Sequence, residues 1–232
     1  MTLIIGARCK DGVVIGADRR GMRGAEPSDE KKLFNIDGIV VGVAGITGIR
    51  DDFLLLMRRR EVGTRLRDLY EVKLEVEDMV KRFSDRYGPR FPGEGGGQQI
   101  QALLVGLENV RTGPAKLYHI LGMGFGEEVG FLCIGHGSPY ATSLGKFMYD
   151  QNLAIDAMAK IIAFLISWVK EDLDTLVGGT PDIMLLKDNT PGFTELERAK
   201  INVIEKHVKE MKKKGELRSC LLPERRQRAR QT

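Results

Sequence analysis

Little in this sequence points to a membrane, an oxidising compartment or a metal. Its 232 residues hold three cysteines, Cys9, Cys133 and Cys220. They are too few and too scattered for a disulfide framework or a zinc site, which fits a reducing, cytoplasmic setting. Histidine is as scarce: His119, His136 and His207 show no ligand spacing, so neither a metal nor a cofactor is expected. No apolar run approaches the ~20 residues of a membrane span. The longest, Ile161 to Val169, is bracketed by Lys160 and Lys170 and reads as a buried helix. The start, Met1-Thr2-Leu3-Ile4-Ile5-Gly6, has no basic residues ahead of its apolar ones and is not a signal peptide. Gly93-Glu94-Gly95-Gly96-Gly97 lacks the Lys-Ser/Thr of a phosphate loop. Gly137-Ser138-Pro139 lacks the Gly-x-Ser-x-Gly elbow of a serine nucleophile, and Ser138 is expected to cap the helix after it.

What is present looks globular. Charged residues at 29% and hydrophobics at 42% are ordinary for a chain that buries a core. The net charge of +4 is unevenly placed. From Glu205 to Thr232 ten Lys or Arg stand against four Glu, a surplus of six that leaves the rest at −2. The basic runs Lys212-Lys213-Lys214 and Arg225-Arg226-Gln227-Arg228-Ala229-Arg230 carry no interleaved aromatic. They therefore read as a solvated helix end and terminus and not as a nucleic-acid site.

Patterning gives the elements. Two short apolar runs, Leu3 to Arg8 and Val13 to Ala17, flank Lys10-Asp11-Gly12, and a second pair flanks Asp37-Gly38. Asp and Gly tolerate the positive φ of tight turns, so both pairs read as hairpins. From Gly48 to Tyr87 apolar residues recur at helical spacing, predicting two helices with a break near Glu71 to Leu74. Strands are predicted over Gln99 to Leu107, Lys116 to Leu121, Glu128 to Ile134 and Pro181 to Leu186. Helices are predicted after Pro139 through Tyr149, from Ile155 to about Asp172, and from Thr194 to Lys214, with Thr194 and Glu197 as a capping box. Phe164 and Trp168 are expected in a core or an interface. Sheets and helix pairs in this order predict an α+β chain, a four-layer αββα sandwich of two antiparallel sheets flanked by helices. Residues 1–190 form its domain and 191–232 a C-terminal helix and basic tail.

Thr2 to Arg20, then Lys31-Lys32-Leu33-Phe34-Asn35-Ile36, then Val43-Ala44-Gly45-Ile46-Thr47-Gly48, carry a resemblance. Weaker pieces follow at Gly135-His136-Gly137-Ser138-Pro139 and Asp174 to Asp182. In this order the set resembles the proteasome β-type subunits of the N-terminal-nucleophile hydrolases, over about Thr2 to Lys187. With only Met1 ahead of Thr2, it resembles the short-leader relatives Anbu and connectase more than β subunits with propeptides. The α-type subunits carry an extra segment ahead of the first strand.

The resemblance implies roles. Thr2 aligns with the nucleophile, Asp18 and Lys32 with the supporting pair, Gly45 with the oxyanion donor, and Asp174 with the aspartate near the terminal amine. His136 stands where the family places a serine, and Val177 where a second serine follows the aspartate; His136 offers a polar or proton-carrying substitute, whereas Val177 offers none. Val43 matches the floor of the primary specificity pocket and implies an apolar side chain before the scissile bond. The chemistry is coherent, because a threonine hydroxyl needs a base and a free α-amine titrating near ~8 can be one. The implied activity is threonine-type peptidase action on a polypeptide through a Thr2 acyl ester after Met1 removal. Two alternatives stand beside it: a connectase-like transpeptidase or protein ligase using the same ester, and a noncatalytic structural subunit. The resemblance further implies a ring or helical homo-oligomer and leaves open whether an AAA+ ATPase is a partner.

Overall fold

The computed structural model describes residues 2–23, 26–60, 68–87, 100–109, 111–173 and 175–215. Two five-stranded sheets face each other, and each has helices on its outer side. Sheet one runs β10-β1-β2-β11-β12, built from β1 (Ile4–Cys9), β2 (Gly12–Ala17), β10 (Phe131–Ile134), β11 (Asp182–Lys187) and β12 (Thr194–Glu195). Sheet two runs β5-β6-β7-β8-β9, built from β5 (Leu33–Ile36), β6 (Ile39–Gly45), β7 (Ile100–Leu107), β8 (Ala115–Ile120) and β9 (Gly126–Glu128). A separate ribbon pairs β3 (Arg20–Arg23) with β4 (Glu26–Asp29). All these pairings are antiparallel.

Period-2 alternation fills three apolar layers, because both faces of the central strands are covered. Along β1, Ile5 and Ala7 join the cluster under α3 (Ser138–Met148), α4 (Ile155–Trp168) and α5 (Arg198–Lys213). Ile4 instead joins Val13, Ile15, Leu33, Val40, Leu103 and Leu117 between the sheets. Val41 and Val43 of β6 turn outward to Phe53 and Met57 of α1 (Thr47–Arg59) and to Val76 and Met79 of α2 (Leu69–Tyr87). This is the αββα sandwich. The sheets approach closely: a Cβ on Gly6 would lie 2.9 Å from the Leu117 methyls, and one on Gly42 would lie 2.9 Å from Ile4. Burying a Leu- or Ile-sized side chain contributes about 1.5–3 kcal/mol, so such interdigitation is a main source of stability.

Both hairpins form with two-residue turns, but by different means. Asp37 at φ 53° and Gly38 at φ 87° use the left-handed region, as expected for a hairpin turn of that composition. At Lys10-Asp11 no residue has positive φ. Gly12 is needed for space instead, since a Cβ there would sit 2.3 Å from the Leu186 carbonyl oxygen.

Four expectations need correction. Glu71 to Leu74 lie inside α2, not at a helix break. The helix starts after Asp68, whose Oδ1 accepts the Tyr70 N–H at 2.6 Å, and Leu69, Val72, Val76, Met79 and Val80 form one continuous buried stripe. The run Glu128 to Ile134 is two strands in different sheets: β9 pairs with β8, while β10 pairs with β1. The chain crosses over at Val129 and Gly130, where the Arg8 N–H binds the Gly130 oxygen at 2.7 Å. Thr194 is not a helix cap, because it pairs with Leu185 in β12; α5 begins at Arg198 with Glu197 ahead of it. Ser138 is the first residue of α3 and gives no side-chain cap. The Gly93–Gly97 loop, Cys220 and the basic tail beyond 215 lie outside the described residues.

Candidate active site

One end of the sandwich gathers Thr2, Asp18, Lys32, Gly135 and Gly45, because antiparallel pairing brings together the start of β1 and the ends of β2 and β10. Ile4 pairs with both Ala17 and Ile134, so Thr2, Asp18 and Gly135 are neighbours just beyond. In sheet two Leu33 pairs with Gly42, and the Lys32 oxygen accepts the Val43 N–H at 3.3 Å. Lys32 therefore precedes β5 at the end where β6 runs out to Gly45. On the period of β1, residue 2 shares the inter-sheet face with Ile4.

Asp18 is the hub. Its Oδ1 accepts the Lys32 ammonium at 2.6 Å and the Leu3 N–H at 2.8 Å. Its Oδ2 accepts the N–H groups of Arg20 and Gly178, each at 3.1 Å. Lys32 Nζ also donates to the Arg20 carbonyl at 2.7 Å. Both side chains of the pair are 0% exposed. Four donors thus converge on one buried carboxylate, and charge-assisted hydrogen bonds of this kind fix its position. Burial holds the Lys32 ammonium below the usual lysine range, and the Asp18 charge opposes that shift.

Thr2 is buried, with 5% of its surface exposed, and its carbonyl accepts the Gly137 N–H at 3.3 Å. Gly135, at φ 90°, packs on it: a Cβ there would lie 2.3 Å from the Thr2 oxygen. Only glycine meets both demands. Between these two contacts, His136 is exposed on the turn. Val177 is fully buried among Leu3, Val169 and Leu165, so its position contributes packing and no hydrogen bond. Gly45 ends β6 just ahead of Ile46, the residue that precedes α1. Val43 is buried against α1. Asp174 lies outside the described residues.

The donors to Asp18 from Arg20 and Gly178, and the Arg20 carbonyl, are backbone groups with no side-chain signature. The Gly-His-Gly run between β10 and α3 is the signal that marks the floor under Thr2. Among the described residues the thiols offer no rival nucleophile: burial pushes both Cys9 and Cys133 up to about 12, which disfavours the reactive thiolate. Among the described residues no group of three or more His, Cys, Asp or Glu could hold a metal ion, and no helix is long and apolar enough to cross a membrane.

The sandwich has parallels among known proteins. The family model of the proteasome subunit matches residues 2–181. This chain belongs to the proteasome subunit family. It is 30% identical over 185 residues to the proteasome subunit beta of Ferroglobus placidus, covering 74% of this chain and 80% of that protein. It is 26% identical over 217 residues to the proteasome subunit alpha of Methanococcus maripaludis (strain C7 / ATCC BAA-1331), covering 93% and 80%. Among solved structures, Anbu, the ancestral beta-subunit from Yersinia bercovieri, superposes with a TM-score of 0.74 at 19% identity, covering 92% of this chain and 96% of that one. The fold is thus that of the β-type, Anbu-like proteasome subunits, and at family level the chain is a proteasome-like hydrolase of the N-terminal-nucleophile type.

Proposed function

We propose that this chain is a threonine peptidase that cleaves peptide bonds through an ester on Thr2, with Met1 removed. The observation that carries this reading is Asp18 Oδ1, which binds both the Leu3 N–H at 2.8 Å and the Lys32 ammonium at 2.6 Å. One oxygen thereby ties the backbone next to Thr2 to a dry positive charge. Such a charge lowers the cost of making an alkoxide nearby. The Thr2 hydroxyl attacks the scissile carbonyl carbon and its proton passes to the freed α-amine. The oxyanion is met by the Gly45 N–H. The C–N bond then breaks, the amine carries the proton to the leaving peptide nitrogen, and water cleaves the ester to release the second fragment. Asp18 holds Lys32 in place, and His136, on the turn between the two glycines that contact Thr2, belongs to the surroundings of the amine.

Two measurements test this. N-terminal sequencing of active protein is expected to begin at Thr2; Met1 retained in an active preparation would contradict the mechanism, because an acylated nitrogen cannot be the base. Incubation with a β-lactone or epoxyketone should add one adduct to Thr2 by intact mass.

A second reading, transfer of the acyl group to an amine, rests on Val177. A fully buried valine cannot orient a water beside the amine as a serine would, which favours an amine acceptor over hydrolysis. Product analysis with and without an added acceptor peptide separates the two. An inactive wild type that assembles as well as Thr2→Ala would instead support a structural subunit. As assembly we propose a homo-oligomer of six or more copies, on family grounds; light scattering showing a 25.9 kDa monomer at micromolar concentration would contradict it.

A further inference from the structure

A second buried ion pair lies beside the first and has no part in the chemistry above. Glu30 precedes Lys32 by two residues, and its Oε2 accepts Arg50 Nη1 at 3.1 Å, with 10% and 9% of the two side chains exposed. Arg50 stands in the first turn of α1, where its N–H binds the Ile46 oxygen at 2.9 Å, and Ile46 follows Gly45 directly. At the other side the Glu30 N–H donates to the Arg19 oxygen at 2.7 Å, next to Asp18. The Glu30 carboxylate also lies against Gly21, where a Cβ would come within 2.1 Å of its carbon. Gly21 adjoins Arg20, whose carbonyl is the second acceptor of the Lys32 ammonium.

We infer that the Glu30–Arg50 pair is a positioning device that fixes the distance between the Lys32 segment and the β6–α1 corner carrying Gly45. The inference rests on the proposed reading of Thr2 and adds two residues to it. Neutralisation of Arg50 does not explain Glu30, because Asp51 already accepts Arg50 Nε at 3.0 Å from the solvent side. What Glu30 adds is a rigid link. The Lys32 segment leads into β5 and the α1 corner leads out of β6, and a largely buried salt bridge between them resists their separation. Misplacement of a donor by an ångström costs far more in rate than in stability. The pair also sets the field at Lys32, where Glu30 and Asp18 favour the charged ammonium while Arg50 and burial disfavour it.

The test uses the full chain, a β-lactone as probe of Thr2, and nuclear magnetic resonance of ¹³C-labelled lysine to titrate Lys32. Glu30→Gln should slow adduct formation at least tenfold and lower the Lys32 midpoint, since a negative neighbour is lost. Glu30→Asp keeps the charge and withdraws the carboxylate by one methylene. It should slow the adduct severalfold while the Lys32 midpoint stays in place, a split that a purely electrostatic or purely stabilising role would not produce. Circular dichroism checks that each variant is folded, and Glu30→Asp decides the matter if Glu30→Gln is not. A folded Glu30→Asp variant at the wild-type rate overturns the inference. If the wild type forms no adduct, the Thr2 reading fails; the pair is then judged by geometry, and a folded Glu30→Asp variant whose Gly45 and Ile46 amide resonances stay at their wild-type positions overturns it.

Discussion

The two ends of the sandwich each carry a cation–aspartate pair, and the pairs differ in kind. At the hairpin end Arg8 binds Asp188 through both nitrogens, at 2.8 Å each, with side chains 27% and 23% exposed. Asp188 also accepts the Ala115 N–H at 2.7 Å, so the pair clamps the edge of one sheet to the other. At the Thr2 end, beside the more exposed pairs of Arg19 with Asp29 and Asp182, one pair has a lysine as its cation, a single contact, and both side chains 0% exposed. Arginine's planar fork suits architecture; a compact ammonium suits the placement of one charge beside one oxygen. Burying such a pair fully gains little stability over an apolar replacement. Its full burial is in keeping with the catalytic role proposed for it.

Breaking one partner at each end should magnify the contrast. Asp18→Asn leaves the Lys32 charge buried without its counter-ion and removes acceptor strength from three backbone donors. It should cost about 3–5 kcal/mol, read as a fall in the denaturation midpoint. Asp188→Asn leaves Arg8 partly solvated and should cost about 1 kcal/mol or less. Equal losses at the two ends would erase the distinction drawn here.

Removing both charges at the Thr2 end sharpens it further. The double variant Asp18→Asn with Lys32→Met removes both charges yet keeps an amide oxygen for the backbone N–H groups around it, and should recover about 1 kcal/mol or more of the stability lost in Asp18→Asn. Its reaction with a β-lactone at Thr2 should stay absent. A double variant that is both unstable and inactive would mean the pair is architecture. Thr2→Ser, which keeps a hydroxyl and a terminal amine, should retain measurable turnover.

The contrast extends to legibility. The Asp37-Gly38 turn could be read because its composition matches the positive φ it adopts. Asp18 and Lys32 were legible only as members of an ordered motif, since nothing in their spacing states that they meet at 2.6 Å. The Glu30–Arg50 pair was not legible, because its partners are brought together by the β6–α1 corner and by no local rule. The split of Glu128 to Ile134 into β9 and β10 failed for a related reason: a change of sheet leaves no mark on residue alternation. The Thr194 capping signal was genuine chemistry outweighed by strand pairing with Leu185.

The smallest expected effect concerns His119, between the sheets. It is 7% exposed, its nearest acid is Glu127 at 3.9 Å, and burial holds its imidazole below the usual range. The unfolded chain therefore binds a proton that the folded chain resists. Stability tied to His119 is present above the ordinary 6.5 and is lost as pH falls through the depressed folded value. His119→Leu should flatten the acid limb of the stability curve and leave neutral pH within about 1 kcal/mol. An unchanged acid limb would show that His119 is not its source.

The most direct test of the central claim is the rate of Thr2 modification in Lys32→Arg beside the wild type, with thermal midpoints measured on the same samples. Arginine keeps the charge and a partner for Asp18 but cannot place a compact ammonium beside the threonine. A folded variant is expected, with a rate that falls on the order of 100-fold or more. A folded Lys32→Arg protein that reacts at a near-normal rate would contradict it.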